Sequence, residues 1–451
     1  MMGVLTLTIS KGLNMIDSTF CPPDLTTFCR LDQLGLVVVG QQLAAQHATL
    51  ACTVVPSADD AFCRRCGAQG RARDTVTRRL AHEPFGWRPT TLLVRVRRFR
   101  CEHCQHVWRQ DMARAAEPRA HLSRAALRWA LTALVVNFMS MRRIAKALGV
   151  AWHTANSAVL AEGQRLLISD PKRFDGVRVI GVDEHKWSHT WGEDHHQFVT
   201  VIIDLTPVRD GTGHSRLLDM VPGQSKAVFA NWLQSRPAQW RDDIEIVAMD
   251  GFTGFKTATS AELPDAQAVM DPFHVVRLAG DALNETRRRV QHEIHGRRGR
   301  KDDPLFKARN TLQRGGDLLT DKQVVRLEAL FADERYVEVH NTWSVYQRIR
   351  QPYVQKDPNL GKWLMGQVIN DIGTGVPAAM VEVAKLAGTL MKRRDDVLAY
   401  FDHPGTSNGP TEATNGRLEH LRGIGLGFRN LTNYIARSLL HSGGFRPALH
   451  S

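Results

Sequence analysis

Three acidic residues in this chain of 451 stand where hard-cation chemistry needs them. Asp183 follows the apolar run Val177–Val182, and Asp250 follows Ile244–Met249 in the same way. Apolar runs of this length read as buried strands, and carboxylates ending neighbouring strands converge at one sheet edge. Glu412 comes just after the turn Asn408-Gly-Pro410, in the first turn of an expected helix that can carry its carboxylate to the same edge. Three oxygen donors so placed can hold two Mg²⁺ ions about 3.5–4 Å apart, with Mn²⁺ as a substitute. Such a pair activates a water or a 3′-hydroxyl for in-line displacement at phosphorus. Each acid alone is a weak signal, because a strand-end Asp more often caps a turn. Glu184, Asp271 and Glu419 compete for the role, and Asp271 also ends a strand-like run, ahead of Pro272-Phe-His274. His185, His195 and His196 lack a ligand spacing.

A second set of donors is soft. Cys63-Arg-Arg-Cys66 and Cys101-Glu-His-Cys104 are separated by 34 residues. Two residues between thiolates let both turn back on one ion, and four such ligands satisfy tetrahedral Zn²⁺. Joined by a hairpin with Leu92–Val96 in its second strand, the knuckles make a zinc-ribbon-like β module. Four protein ligands leave no open position, so this zinc is structural. His103 and His106 lie close enough to replace one thiolate. Cys21, Cys29 and Cys52 have no matching spacing and read as buried thiols.

Ser140–Thr154 has a two-helix rhythm. Ile144, Ala145 and Leu148 mark the inward face of a short helix, and Gly149 suits the positive φ of a tight turn. A second helix starts near Trp152. In a helix-turn-helix the N-terminal residues of that helix enter the major groove. Trp152, His153, Asn156 and Ser157 are then expected nearest DNA, with Asn156 suited to an adenine edge and Arg142 and Arg143 to phosphate. An ordinary helical hairpin gives the same pattern.

The elements that must position these residues change character along the chain. β-leaning pieces precede Pro118, and residues 122–168 read as helices. Strand-like runs follow at Val177–Val182, Phe198–Ile203, Ile244–Met249 and Ala266–Met270, with a helix near Ser225–Leu233, the pattern of an α/β layer fold. Phe273–Tyr400 is helical and rich in Arg. Apolar residues make up 43% and charged residues 23%, which excludes wholesale disorder and collagen-like chains. No apolar run is long enough for a membrane span and no signal peptide stands out, so an intracellular protein is expected. The net charge of +13 is uneven. Residues 61–120 carry 14 Arg against 5 acids, and residues 287–301 carry 7 basic residues against Glu293 alone. Clusters of this kind fit a polyanion, and nucleic acid is the expected partner. Arg287–Arg289 and Arg297–Lys301 are expected to hold DNA backbone, with a solvated helix face as the alternative.

Taken together, these segments resemble bacterial insertion-sequence transposases of the ISL-three type. The resemblance runs from about residue 30 to 450 and rests on both cysteine pairs, Arg142–Val150, Ile180–Glu184, Val247–Asp250, Asp271–Val275, Asn408–Gly416 and Gly425–Asn430. It implies an α/β RNase H-like catalytic core with a small zinc-ribbon-like β module, a helix-turn-helix and a helical insertion. The implied domains are residues 30–118 (zinc-binding), 119–170 (helix-turn-helix), 175–274 (first part of the core), 275–402 (basic insertion) and 403–445 (final core helix). It places the metal-binding triad at Asp183, Asp250 and Glu412. Asn415 is to orient the Glu412 helix or the scissile phosphate, with His274 as an analogous candidate and Asp271 supporting the site or touching DNA. It implies a bacterial, cytoplasmic, nucleoid-associated DDE transposase that binds terminal inverted repeats and target DNA as a dimer or larger assembly. A transposase-derived regulator without catalysis and an RNase H-like nuclease without strand transfer are the alternatives.

Overall fold

The computed structural model describes residues 23–188, 197–425 and 428–450. Cys21, His195, His196, Leu426 and Gly427 lie outside the described residues. The chain divides into two compact units, one running to Ser169 and taking back Phe445 onward, the other Asp170–Gly444. The protein is a mixed α/β molecule with two mixed five-stranded sheets. No helix among the described residues is long and apolar enough to cross a membrane.

The first unit is built on β1 (Leu36–Leu43), β2 (Ala48–Val54), β3 (Gly70–Phe85), β4 (Arg88–Cys101) and β5 (Val107–Arg109), in the order β1-β2-β4-β3 with β5 also on β4. Gly86 and Trp87, with φ of 53° and 67°, make the two-residue turn that reverses β3 into β4. Alternation along β4 sends Leu92, Val94 and Val96 to one face, where they pack on Leu36, Leu50, Leu80 and Met112. Three helices follow, Arg124–Val135, Met141–Leu148 and Trp152–Gly163. Gly149 closes the second of them at φ 66°, in the left-handed region that a Cβ disfavours.

The second unit contains β6 (Val179–Lys186), β7 (Phe198–Asp204), β8 (Arg216–Pro222), β9 (Ile246–Met249) and β10 (Gln267–Met270). Their order is β10-β9-β6-β7-β8. β6, β9 and β10 run parallel, while β7 and β8 are antiparallel to their neighbours. The central strands are buried on both faces, as their unbroken apolar sequence requires. Ile180, Val182, Val247 and Met249 face Phe229, Trp232 and Phe255 of the helices Lys226–Gln234 and Thr253–Glu262. The other face carries the helix Gly409–Ile424.

Between β10 and that helix lies an all-helical body, from Pro272–His295 to Arg394–Asp402, with its own core around Leu283, Val339, Ile369 and Leu390. Its basic runs are only partly open: Arg288, Arg298, Arg300 and Lys301 are exposed, while the other three are engaged within the protein. Arg287 is buried and bonds to Asn284 and Gln291. Arg289 joins Glu293, Glu338 and Glu382, and Arg297 holds Asp303. Arg287 and Arg289 are turned toward neighbouring side chains of the helical body and Arg297 folds back on Asp303, so these three are not open to a partner.

Candidate functional site

Backbone register sets the acidic site. Val182 of β6 pairs with Met249 of β9, which pairs with Met270 of β10. Asp183, Asp250 and Asp271 therefore follow one aligned row, about 4.8 Å apart per strand, where the parallel pairing stops. Asp250 and Asp271 end their strands, but Asp183, expected at a strand end, lies inside β6, which runs on to Lys186 against β7. Asp271 is committed to structure. It is 3% exposed, caps the helix Pro272–His295 by accepting from the His274 N–H at 3.3 Å, and accepts from the Asn408 N–H at 3.0 Å. It thus fixes where the helix Gly409–Ile424 begins.

That helix delivers Glu412 and Asn415. Asn415 Nδ2 donates to Asp183 Oδ2 at 3.0 Å, and Asp183 Oδ1 accepts from the Glu184 N–H at 2.8 Å. Close docking depends on Gly181, two residues before Asp183 on the same face. A Cβ there would stand 2.5 Å from Thr411 Oγ1 and 3.0 Å from Leu205 Cδ1. Gly181→Ala is expected to lift the helix from β6 and cost about 1–3 kcal/mol of stability, which thermal melting checks.

Burial raises the Asp183 carboxyl to about 7, and Asp250, Glu412 and Glu184 add to that rise. The charged groups acting on it most strongly all share its sign. Asn415 Oδ1, on the residue that bonds Asp183, and Asn408 Oδ1 and Thr411 Oγ1, facing Gly181, are buried with no partner among the described residues. Hard oxygen donors, uncompensated negative charge and orphaned polar atoms fit a hydrated divalent cation. The carboxylates are more widely spread than a single tight ligand cage: among the described residues, one group of three or more acid, His or Cys ligands lies within 4.8 Å of itself, and it is the four cysteines.

Sequence reasoning named Asn415 and His274 but missed the arginines around them. His274 sits against Gly251, where a Cβ would meet its Nε2 at 2.4 Å, and its Nδ1 pairs with Arg277 Nη2 at 2.9 Å. The i,i+3 spacing of His274 and Arg277 was a readable signal. Arg393 comes from the helical body with no such signal. It is 5% exposed, its Nη1 donates to the Gly251 carbonyl at 3.2 Å, and its Nε holds Asp396, which also accepts from Lys256. Arg393→Met leaves Asp396 half-compensated and is expected to cost about 3–5 kcal/mol in urea unfolding. Among the competitors, Glu184 sits near Asp250 and Glu419 pairs with Arg422. His185 is buried against Tyr434, its Nε2 2.7 Å from the phenol oxygen, and burial holds it down to about 4.

In the first unit the two knuckles share one turn. The Gly67 N–H donates to the Cys63 carbonyl at 2.9 Å and the Gln105 N–H to that of Cys101 at 3.1 Å. Gly67 and Gln105 both have positive φ, 75° and 59°. Cys63 and Cys66 thereby meet Cys104 with Sγ separations of 3.5 Å, and Cys66 is equally far from Cys101. These separations exclude disulfides and suit four thiolates around one ion. The grouped ligands are four cysteines, without His103 or His106.

Of the residues expected near DNA, Arg142, Arg143, Trp152, His153 and Ser157 are exposed. Asn156 is not: it is 6% exposed and lies in the buried stripe with Ala155, Val159 and Leu160. Its place in the 3.6-residue periodicity faces the bundle, which removes the expected adenine contact.

A family model described as transposase, of the DDE type and ISL-three group, matches residues 180–438. The chain is 26% identical over 333 residues to the transposase for insertion sequence element IS1557 of Mycobacterium tuberculosis, covering 69% of this chain and 70% of that protein. It is also 26% identical over 287 residues to the transposase for IS1001 of Bordetella parapertussis, covering 62% and 66% respectively. The stretch matched by the family model contains Asp183, Asp250 and Glu412 and does not include the cysteines.

Proposed function

This chain belongs to the ISL-three family of DDE transposases, a DNA-processing and divalent-metal-using family, and from that premise we propose that it binds the terminal inverted repeats of its own insertion sequence, cuts there and transfers the exposed strand to target DNA. The observation that carries this reading is the aligned row of Asp183 and Asp250, with Asn415 tying the Glu412 helix to Asp183. The strand order, third-second-first-fourth-fifth with only the second running against the others, supports an RNase H-like core.

Asp183, Asp250 and Glu412 would hold two Mg²⁺, or Mn²⁺ in its place. Bound there, the pair lowers the pKa of the attacking hydroxyl and stabilises the leaving oxygen. The protein's own groups do the positioning. Asn415 and the Glu184 N–H occupy one lone pair on each Asp183 oxygen and fix that carboxylate's rotation. Arg393 holds the Gly251 carbonyl and so the loop after Asp250. His274 and Arg277 offer N–H donors for phosphate oxygens. In the first step water adds to phosphorus and the P–O3′ bond breaks, leaving a 3′-hydroxyl on the element and a 5′-phosphate on the flank. In the second that 3′-oxygen bonds to a target phosphorus and the target's own P–O3′ bond breaks.

Recognition falls to the exposed start of the helix Trp152–Gly163, with Zn²⁺ on the four cysteines holding the β module. Two ends must be held at once, so the working form on DNA is a dimer or larger assembly, in the bacterial cytoplasm with the nucleoid. The test is incubation of purified protein and Mg²⁺ with a plasmid carrying the gene's native flanks, followed by mapping of new 3′ ends. Discrete ends at inverted repeats, with joined products, are the expected result. Binding without cuts points to a regulator, and cuts independent of the flanks point to a nuclease.

A further inference from the structure

The face of the N-terminal sheet turned away from its core is open and basic. Register places Arg79 opposite Leu93, Thr77 opposite Arg95 and Thr75 opposite Arg97, with Thr53 of β2 beside Arg95. Arg79, Thr77, Arg95, Thr75 and Arg97 are all exposed. The side chains of Arg79, Arg95 and Arg97 enter no hydrogen bond or ion pair among the described residues. That sets them apart from other arginines of the same strands. Arg78, on the core side, donates to the Glu117 and Ala120 carbonyls, Arg71 pairs with Glu102, and Arg98 holds Asp74. No acid occupies the open face at any paired position of β1 to β4.

The patch lies between two features of the same unit. At one end Arg79 lines a cleft with Gly149, Ala151 and Thr154, the turn and the first residues of the exposed helix. Gly149 packs there on Pro89 of β4, its Cβ position 3.0 Å from the Pro89 ring. At the other end Phe99 and Trp108 stack at 5.8 Å beside Cys101 of the four-cysteine centre.

We propose that this face is a binding site for the sugar-phosphate backbone of duplex DNA, continuous with the helix-turn-helix and extending its footprint across the sheet. The side chains suit that partner. Guanidinium groups fork onto phosphate oxygens, and Thr hydroxyls between them add neutral donors. Alternate residues of one strand share a face, so Arg95 and Arg97 follow a backbone as a row. The contact carries no base readout. It adds affinity and register, while sequence preference stays with the helix.

The proposal rests on the DNA-binding function proposed above, and the test separates the sheet face from the helix-turn-helix. Full-length protein is titrated by fluorescence anisotropy onto duplexes from the gene's own flanks and onto scrambled duplexes, between 50 and 300 mM salt, roughly the range over which counterion release is read. The variants are the triple Arg79→Gln/Arg95→Gln/Arg97→Gln, the same triple to Lys, and Trp152→Ala/His153→Ala. Zinc content and melting temperature verify that each is folded. The Gln triple is expected to flatten the slope of log affinity against log salt by about 2–3 on both duplexes, and to weaken binding on the order of 10²-fold near 0.1 M salt. The Lys triple is expected to retain most of the slope. An unchanged slope in the Gln triple overturns the proposal. If the helix variant then still loses preference for flank DNA, the helix-turn-helix reading survives alone; if it does not, both fall. A flattened slope beside an unaffected helix variant upholds the sheet face and overturns the helix reading.

Discussion

Asp183→Asn, Asp250→Asn and Glu412→Gln proteins are each expected to bind flank DNA as the wild type does and to cut it at least about 10³-fold more slowly, on the order of 4 kcal/mol of lost transition-state stabilisation. Each change keeps the shape of the side chain and removes one charged oxygen donor from a site whose donor set is otherwise uncompensated. The losses are not additive, because the three carboxylates act as one ligand set: a double variant should be little worse than the poorer single one. A second readout moves in the opposite direction. Asp183 is half-buried among acids, and its desolvation and their like charge make its ionised form destabilise the fold. Without added divalent cation, the wild type should lose stability as pH rises from about 4 to about 7. Over that window the folded carboxyl keeps a proton that the unfolded one has released. Asp183→Asn should flatten that part of the profile and raise the melting temperature at neutral pH. A variant that melts lower and cuts normally would refute the assignment.

Cys101→Ser is expected to release zinc, unfold the β module and abolish DNA binding, with the same result from a chelator. Cys101 is fully buried at the end of β4, and its thiolate closes the ring of sulfurs that joins the two knuckles. Structural zinc is worth about 10–16 kcal/mol in peptide-sized domains, more than a small sheet supplies by itself. The knuckle turns also depend on it, since Gln105 takes a positive φ that a non-glycine residue holds only under constraint. Cys29→Ser is the control. Cys29 is half-buried, lies outside the sulfur cluster, and should leave one zinc per chain. Metal content by atomic absorption and binding by anisotropy check both proteins.

The sequence is most legible where one local rule acts alone. Val179–Val182 and Ile246–Met249 are unbroken apolar runs, and a strand buried on both faces is their simplest solution. Cys63-x-x-Cys66 and Cys101-x-x-Cys104 announce their partner by spacing. Gly149 announces its turn. Rotation about a helix axis was harder to read. Asn156 and Arg287 are polar, yet the 3.6-residue period turns both inward, and polarity alone had suggested the outside. Least legible were contacts made by tertiary closure. Arg393 reaches Gly251 across 142 residues, and β2 joins β4 in parallel rather than as a hairpin. Nothing local encodes either, because both depend on where a distant segment comes to rest.

The hydrogen bond from the Asn408 N–H to Asp271 spans 137 residues of chain. On the ribosome that separation becomes an interval of time. Every strand of the N-terminal sheet, and the two helices of the turn, emerge before residue 170, and domains fold in that order as they appear. The two aspartates follow with β6 and β9. Glu412 comes only after the whole helical body has been made and has returned the chain to Asp271. On the function proposed above, a nascent polypeptide makes the strands and helices of its duplex-binding unit long before its third carboxylate, with only the segment from Phe445 onward still to join that unit, so the order of translation would keep holding ahead of cutting.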